Sequence, residues 1–222
     1  MKVLQVSDIH GSRRAAKAVA AKSKEFKPDA VLVVGDITNF GTVEEAENIL
    51  VEIAGGFKAP ILFVPGNCDP PQLLEYGPSS SNIVNIHAKK LPLQGYIFAG
   101  VGGSKTTPHR GTWIEFNEDQ ISEILLSFEV SGLSNLVLVS HTPPDGVEAS
   151  KTASGIDLGS SSIRRFVEHH KPLIVCCGHV HEARSISRVG EVPVVNAGPA
   201  KDGYCAVIEI SEGRARAKLD TL

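Results

Sequence analysis

Short apolar runs alternate with amphipathic stretches along most of the chain. The runs at 30–34 and 173–177 are apolar at every position, which is typical of strands buried on both faces of a sheet. The stretches between such runs have helical spacing, and this alternation is typical of βαβ units in an α/β fold. We predict strands at 2–6, 30–34, 61–64, 83–88, 96–101, 136–139 and 173–177. We predict helices at 12–25, 43–54 and 161–169, and a further helix that Asn117 caps and that ends at about 130.

Helix caps and loops complete this outline. Thr42 with Glu45, and Asn117 with Gln120, have the spacing of capping boxes. The segments 183–189, 193–195, 205–210 and 214–219 predict a β-meander at the end of the chain. Long loops at 102–111 and 142–160 are expected to be functional, since long loops in compact domains usually are. No repeat or linker interrupts the pattern, so we expect one domain over residues 1–222.

Composition and charge narrow the function classes. The chain is 42% hydrophobic and 21% charged, as is usual for a globular protein. A net charge of −3 gives no overall attraction to nucleic acid or an anionic membrane, although a local basic patch stays open. No stretch approaches the roughly 18–20 apolar residues of a membrane helix, and MKVLQVSDIHG lacks the features of a signal peptide. The cysteines form no CxxC pair or disulfide framework. We therefore expect a cytoplasmic protein.

Side chains that can bind metal ions follow five of the predicted strands. Ligands of open α/β sheets gather at the carboxyl ends of the strands, so we expect these side chains to lie together. Alone, an Asp after a strand is usually a cap or an Asx-turn, and a loop histidine usually makes ordinary hydrogen bonds. Seven converging candidates favour a common site: Asp8, His10, Asp36, Asn67, His141, His179 and His181.

The residue types indicate the chemistry. Imidazole, carboxylate and amide oxygen suit divalent ions such as Mn, Fe, Ni or Zn. Because a carboxylate has two oxygens, Asp36 is able to bridge two ions about 3.5–4 Å apart. Such a pair acidifies a water to hydroxide near neutral pH and holds a phosphoryl group from two sides. Clustered cysteine ligands, which would indicate structural zinc, are absent, and no glycine-rich nucleotide fingerprint is present.

Five blocks of the sequence resemble the motifs of the calcineurin-like metallophosphoesterase family, in the family's order: DIH (8–10), GD (35–36), GN (66–67), SH (140–141) and GHVH (178–181). The resemblance implies a two-layer β-sandwich flanked by helices, a four-layer αββα arrangement with two divalent ions. Mn is expected first, with Fe, Ni or Zn as alternatives. The segments HTPP (141–144) and GIDLGSSSIRRF (155–166) are similar to those of small prokaryotic and archaeal single-domain members, in which they lie beside the site.

The resemblance also implies how the ligands are divided between the ions. One ion is expected on Asp8, His10 and His181, and the other on Asn67, His141 and His179. Asp36 is expected to bridge the two ions.

Cys68 departs from the family pattern. The family usually has a His after the Asn, thought to protonate the leaving oxygen and to be oriented by the next acidic residue, here Asp69. A thiol with a pKa near 8.5 is a poor substitute for imidazole. Its presence is expected to cost roughly 10²–10⁴-fold on substrates that need an acid. We interpret Cys68 as a packed side chain rather than a nucleophile or redox group, and Gly66 as part of a tight turn.

The loop at 102–111 supplies candidates for the missing acid and for phosphate contacts. His109 is our candidate acid, with an exposed loop histidine as the alternative. Lys105 and Arg110 are candidates for phosphate contact, although solvated charges are commoner. No catalytic role is expected for His87, His169 and His170.

The motifs predict a metal-dependent phosphoesterase, specifically a phosphodiesterase, because members with GNCD look like phosphodiesterases. In this hypothesis a bridging hydroxide attacks phosphorus in line, while Asn67 binds an ion and donates its amide to a phosphate oxygen. Two alternatives stay open, a non-catalytic metal-binding scaffold of the same fold and a metal-dependent nuclease. The scaffold predicts eroded ligands, whereas all seven are retained.

A nuclease predicts a basic groove with aromatic residues, but aromatics are 5% of the chain and the net charge is slightly negative. The expected partner is a small phosphoester. Nucleic acid is a less favoured partner that the sequence does not exclude, and no membrane partner is expected. Formation of a homo-oligomer is left as an open alternative.

Overall fold

The computed structural model describes residues 1–55, 58–107, 111–130 and 132–222, and its first sheet has six strands. Four are parallel: β1 (Lys2–Val6), β2 (Ala30–Val34), β3 (Ile61–Val64) and β4 (Ile83–Asn85). The hairpin of β13 (Tyr204–Ser211) and β14 (Arg214–Thr221) joins β1 in antiparallel fashion, giving the order β14-β13-β1-β2-β3-β4. Helices α1 (Arg13–Phe26) and α2 (Val43–Ala54) connect the first three strands.

The second sheet also has six strands. Its parallel strands are β6 (Tyr96–Val101), β9 (Leu136–Ser140), β10 (Ile174–Cys177) and β12 (Val192–Asn196), with antiparallel edges β5 (Lys90–Leu93) and β11 (Ser185–Val189). The order is β11-β12-β10-β9-β6-β5. Helices α3 (Glu118–Leu126) and α4 (Ser161–His170) cover its outer face. A short parallel pair, β7 (Ser104–Lys105) and β8 (Glu115–Phe116), lies apart from both sheets.

Strand β2 shows how the layers pack. Val31 and Val33 lie in a core shared with α1 and α2. Leu32 and Val34 lie in a second core, between the two sheets. The chain therefore has four layers, helix–sheet–sheet–helix, which confirms the predicted sandwich flanked by helices. Both faces of β2 are buried, which explains why it has no polar position.

The predicted β-meander at the end of the chain is wrong. β11 and β12 belong to the second sheet, where β12 is parallel to β10, whereas β13 and β14 extend the first sheet. Residue alternation identifies a strand but not its partner, so the pattern did not separate the two hairpins. Helix α3 ends at Leu126 rather than near 130, and β4 is three residues shorter than predicted. β5, β7 and β8 were not predicted, because their residues form no continuous apolar run.

Side chains cap the starts of the helices as predicted. Asn117 Oδ1 accepts from Gln120 N–H, and Gln120 Oε1 accepts from Asn117 N–H, both at 2.9 Å. Thr42 Oγ1 accepts from Glu45 N–H at 3.1 Å. Within the described ranges, the helices are too short or too polar to cross a membrane.

Gln5 ties the two sheets together. Its fully buried side chain donates from Nε2 to Cys177 O at 2.9 Å and to Val195 O at 3.0 Å. Gln5 belongs to β1, whereas the two acceptors belong to β10 and β12. These bonds hold the carboxyl ends of the three strands at a fixed separation across the interface.

His87 is a buried packing residue between β4 and the loop that follows β6. It is 8% exposed, its Nδ1 accepts from Gly102 N–H at 2.9 Å, and its ring stacks on Phe116 at 6.0 Å between centroids. Burial, assisted by the charge of Lys89, lowers the pKa of His87 to about 4. The folded protein therefore disfavours the protonated ring.

We expect His87 to make the protein less stable as the pH falls. The unfolded chain protonates His87 near pH 6.5 and the folded chain near pH 4, so acid favours the unfolded state. Between pH 7 and pH 5 this residue should remove about 2 kcal/mol of unfolding free energy. Denaturant titrations in EDTA should show a correspondingly smaller pH dependence for His87→Gln, with exposed His169→Gln as control. An unchanged dependence in His87→Gln would contradict this assignment.

Candidate metal centre

The carboxyl ends of five parallel strands bring the candidate ligands to one edge of the two sheets. Asp8 and His10 follow β1, Asp36 follows β2, and Asn67 follows β3, all in the first sheet. From the second sheet, His141 follows β9, and His179 and His181 follow β10.

Asp8, His10, Asp36 and His181 form a cluster whose ligand atoms all lie within 4.8 Å of one another. The Nε2 atoms of His10 and His181 are 3.0 Å apart. His181 Nε2 lies 3.3 Å from Asp8 Oδ1, and His10 Nε2 lies 3.7 Å from Asp36 Oδ2. Two imidazoles and two carboxylates at these distances form a donor set that suits a divalent cation.

Asn67, His141 and His179 form the other half of the site. His141 Nε2 lies 3.0 Å from Asn67 Oδ1 and 3.6 Å from Asp36 Oδ1. The ring of His179 meets that of His141 edge-on, with centroids 5.2 Å apart. His141 Nδ1 lies 2.9 Å from Val34 O, which places the proton on Nδ1 and leaves the Nε2 lone pair for the site. The structure thus brings all seven predicted side chains together.

Two buried atoms of the site make no well-aligned hydrogen bond within the described part of the chain, although His181 Nε2 lies 3.3 Å from one of them. These are Asp8 Oδ1 and His179 Nε2. In the same part of the chain, the close ionic contacts of Asp8 and Asp36 are with histidines and not with lysine or arginine. Burying a carboxylate is costly unless a cation or donor compensates it. A divalent ion would satisfy both the orphan atoms and the buried charge, so the residues fit one.

The environment sets the protonation of these ligands. Burial lowers the pKa of His10 to about 4 and that of His179 to about 3, so both rings are neutral near pH 7. The contact with Asp8 raises the pKa of His181. Burial opposes ionisation of Asp8, but His181 and His141 outweigh it and hold the pKa of Asp8 well below its usual range. Burial raises the pKa of Asp36 because it makes the charged carboxylate costly, and a nearby cation would offset that cost. Neutral imidazoles and carboxylates are the forms that bind metal.

Four of the candidate ligands have an unusual backbone conformation. Asp8, His10, Asp36 and His179 have positive φ angles between 48 and 71°. Residues other than glycine adopt this conformation rarely, at a cost of about 1–3 kcal/mol each, and such residues cluster at functional sites.

Gly35 and Gly66 are required for close approach. A Cβ on Gly35 would collide with the ring of His141, and one on Gly66 would collide with the backbone and carboxylate of Asp36. Gly35 also has a positive φ, whereas Gly66 does not. Gly66 does begin the predicted tight turn, since its C=O accepts from Asp69 N–H at 3.4 Å. The position needs the missing side chain rather than backbone freedom.

Asp69 holds two of the ligand loops together. Its buried carboxylate accepts from Ile37 N–H at 3.0 Å, Thr38 N–H at 2.7 Å, Thr38 Oγ1 at 2.9 Å and Gly66 N–H at 2.8 Å. In the family that the sequence resembles, the residue at the position of Asp69 orients an acid at the preceding position, which is Cys68 here. The structure gives Asp69 a different role, joining the loop after Asp36 to the loop that carries Asn67.

Cys68 is a packed side chain, 9% exposed. Its Sγ accepts from Asn67 Nδ2 at 3.6 Å, and its backbone N–H donates to Asp36 Oδ1 at 2.8 Å. Burial and the charge of Asp36 raise the pKa of the Cys68 thiol, so it stays protonated and weakly nucleophilic. The thiol cannot replace the acid that the family has at this position.

The candidate acid His109 lies outside the described residues, as does Arg110, so both stay predictions. Their loop returns to the site at Trp113, whose N–H donates to Asn67 O at 2.8 Å. Lys105 lies near the second half of the site, where its charge adds to burial in lowering the pKa of His179.

Lys201 is a site residue that sequence reasoning missed. Its N–H lies 3.4 Å from Asp8 O, and its charge adds to burial in lowering the pKa of His10. It follows β12, whose carboxyl end lies at the same edge. The position of Lys201 after a parallel strand could have identified it as a site residue. The sequence pattern placed β12 in a meander, which hid this position.

The segment before α4 does not offer a free anion site. Glu118 accepts from Ser160 Oγ, Ser161 N–H and Ser162 N–H at 2.7–3.0 Å. These bonds use the donors of the helix start, so the Ser-rich part of 155–166 serves α3–α4 packing.

The chain is similar to known proteins over most of its length. A family model described as calcineurin-like phosphoesterase matches residues 1–183. An uncharacterized protein of Methanocaldococcus jannaschii is 36% identical over 208 residues, which cover 90% of this chain and 88% of the relative.

Solved structures of low sequence identity share the fold. A Thermus thermophilus protein has a TM-score of 0.75 at 17% identity, covering 98% of this chain and 97% of its own. A dimetal phosphatase from Danio rerio has a TM-score of 0.69 at 12% identity, covering 100% and 96%. An archaeal phosphodiesterase has a TM-score of 0.53 at 13% identity, covering 99% of each chain.

Replacing Asp69 by Asn should loosen the site although Asn has the same shape. The amide would place an NH₂ group against N–H donors, so we expect a loss of about 3 kcal/mol in unfolding free energy. Calorimetric Mn²⁺ affinity should fall by about 10–100-fold, the usual effect of disturbing residues that position ligands. Asp29→Asn, which alters a partly buried carboxylate that accepts from Lys2 N–H, is the matched control. Wild-type stability and affinity in Asp69→Asn would contradict the proposed linkage of the loops.

Proposed function

Because the chain belongs to the calcineurin-like phosphoesterase family, we propose that it is a metal-dependent hydrolase of phosphodiesters that uses two divalent ions. The family and the Asp/His cluster support a hydrolase that binds divalent metal. The number of ions, the role of each ligand and the diester preference are our proposals. We propose Mn²⁺ as the first ion to test, since nitrogen and oxygen donors also serve Fe, Ni and Zn.

The orientation of Asp36 carries this proposal. Its Oδ2 lies toward His10 at 3.7 Å and its Oδ1 toward His141 at 3.6 Å. Each carboxylate oxygen of Asp36 therefore lies near one of the two ligand sets. We assign Asp8, His10 and His181 to one ion, and Asn67, His141 and His179 to the other, with Asp36 shared.

The protein's own residues would bind and orient the phosphate. Divalent ions held here would lower the pKa of a water and neutralise phosphate charge. Asn67 directs Oδ1 toward His141. Its Nδ2 makes a weak contact with Cys68, the one hydrogen bond found for it among the described residues, and so can donate to a phosphate oxygen. Hydrogen bonds from Asp8 N–H to Gly35 O at 3.0 Å and from His10 N–H to Asp36 O at 2.9 Å hold the ligand loops before substrate arrives, so little reorganisation is needed.

Cys68 favours a diester over a monoester. A buried neutral thiol stands where the family has a protonatable imidazole, so this position adds no positive charge. A monoester dianion carries more charge than a diester anion and loses more from that absence. The thiol is also too weak an acid to protonate a poor leaving group, so diesters with good leaving groups should react best.

We expect the Mn²⁺-loaded protein to hydrolyse an aryl phosphodiester faster than the matching aryl phosphomonoester, as measured by release of the aryl alcohol. Asp36→Asn should reduce turnover to background because it removes the shared carboxylate. Cys68→His should raise monoester kcat/KM by about 10²-fold by restoring an acid. Cys68→Ser, which adds no imidazole, should leave both rates near those of the wild type.

Circular dichroism and bound metal content should be checked for each variant. If neither ester is hydrolysed with Mn²⁺, Ni²⁺ or Zn²⁺ while metal still binds, the enzyme proposal fails and the scaffold alternative replaces it. Faster monoester hydrolysis by the wild-type protein would contradict the role given to Cys68.

A further inference from the structure

An exposed aromatic pair lies beside the candidate metal centre. Phe40 is 42% exposed and Trp113 is 47% exposed, and their rings meet edge to face with centroids 5.2 Å apart. Most of the phenylalanines in the described structure are buried in its cores, and Trp113 is the only tryptophan of the chain. Exposed aromatic rings of this size are characteristic of binding surfaces.

The backbone fixes this pair to the loop that carries Asn67. Phe40 N–H donates to Cys68 O at 2.9 Å, and Trp113 N–H donates to Asn67 O at 2.8 Å. Phe40 also has a φ of 56°, a conformation that a bulky residue seldom adopts. Backbone strain of this kind collects where a ligand must be held. The backbone of each residue is therefore tied to the loop that carries Asn67.

A groove of ≈ 660 Å³ opens alongside Trp113. Its walls continue from two loops of the site, since Thr42 and Val43 come shortly after Asp36, and Pro70 and Pro71 come shortly after Asn67. Among the lining residues that the structure describes, none is charged, and the exposed amide of Gln72 is a flexible polar group. Such a surface suits a flat, neutral group with a polar edge, and does not suit a second phosphate.

We propose that Trp113 and Phe40, with this groove, bind a planar aromatic ring on the ester group of the substrate, a nucleobase in particular. The proposal rests on the proposed function, because it takes the phosphate of the same molecule to lie at the candidate metal centre. The ring stacks on Trp113, and Gln72 meets its polar edge. Because the described lining of the groove contains no lysine or arginine, it suits a single nucleotide unit rather than a nucleic-acid strand, which would need cations along its backbone.

The lone tryptophan provides a direct test of binding that does not depend on catalysis. Adenosine 5′-monophosphate, added to the Mn²⁺-loaded protein, should quench Trp113 fluorescence, whereas ribose 5-phosphate, which lacks the base, should not. By calorimetry, Phe40→Leu and Trp113→Leu should each weaken adenosine monophosphate binding by about 10-fold, as expected for the loss of one stacking contact. Trp113→Phe should retain most of the affinity. Leu126→Ala, at a 73% exposed position on α3, is the control.

Kinetic measurements on two diesters with the same leaving group should also show whether Trp113 binds the base. The wild type should prefer the p-nitrophenyl ester of thymidine 5′-phosphate over methyl p-nitrophenyl phosphate in kcat/KM. Trp113→Leu should reduce that preference by about 10-fold, and Trp113→Phe should restore it.

The outcomes separate this inference from the proposed function. Hydrolysis of both diesters with equal efficiency, without quenching by adenosine monophosphate, would overturn the aromatic site and leave the phosphodiesterase intact. Base-dependent quenching without hydrolysis of either diester would support the aromatic site and overturn the proposed function. A stronger preference for an oligonucleotide than for the thymidine ester would overturn the assignment to a single nucleotide unit.

Discussion

Two neighbouring carboxylates buried at one sheet edge, Asp8 and Asp36, impose the constraint on which the site depends. They are 1% and 2% exposed, and their ionic contacts in the described structure are with histidines alone. Removing charged carboxylates from water costs several kcal/mol each unless a counter-charge compensates. His181 and His141 offset the charge of Asp8 in part, but burial holds His10 neutral, so it supplies no counter-charge to Asp36. A divalent cation bound here would supply that charge and would couple metal binding to the stability of the ligand loops.

The residues around the carboxylates keep the loops close enough for this arrangement. Asp69 joins the loops after β2 and β3, and the missing side chain of Gly66 allows Asp36 to approach. The carbonyl groups of Asn67 and Cys68 then accept from Trp113 and Phe40. One loop therefore positions a candidate ligand, the residue in place of the family's acid, and the aromatic surface. A change in this loop should alter metal affinity and substrate preference together.

Much of the site was predictable because parallel strands end at a common edge, so ligand types placed after strands had to converge. Buried strands such as β2 were also visible, since both faces required apolar residues. The partners of the strands could not be predicted from the sequence pattern. The hairpin β11–β12 joins one sheet and the hairpin β13–β14 joins the other, because of packing between residues far apart in the chain. Asp69 and Lys201 were misjudged or missed because their roles depend on contacts between distant loops. The aromatic pair was overlooked because an overall aromatic content of 5% does not say where the rings lie.

Diffraction from a crystal grown with Mn²⁺, with data collected at the manganese absorption edge, tests the two-ion centre most directly. We expect two anomalous peaks about 3.5–4 Å apart, one on each side of Asp36. Asp8, His10 and His181 should surround one peak, and Asn67, His141 and His179 the other. A single peak, or manganese bound elsewhere while these side chains keep their present contacts, would contradict the division of the ligands between two ions.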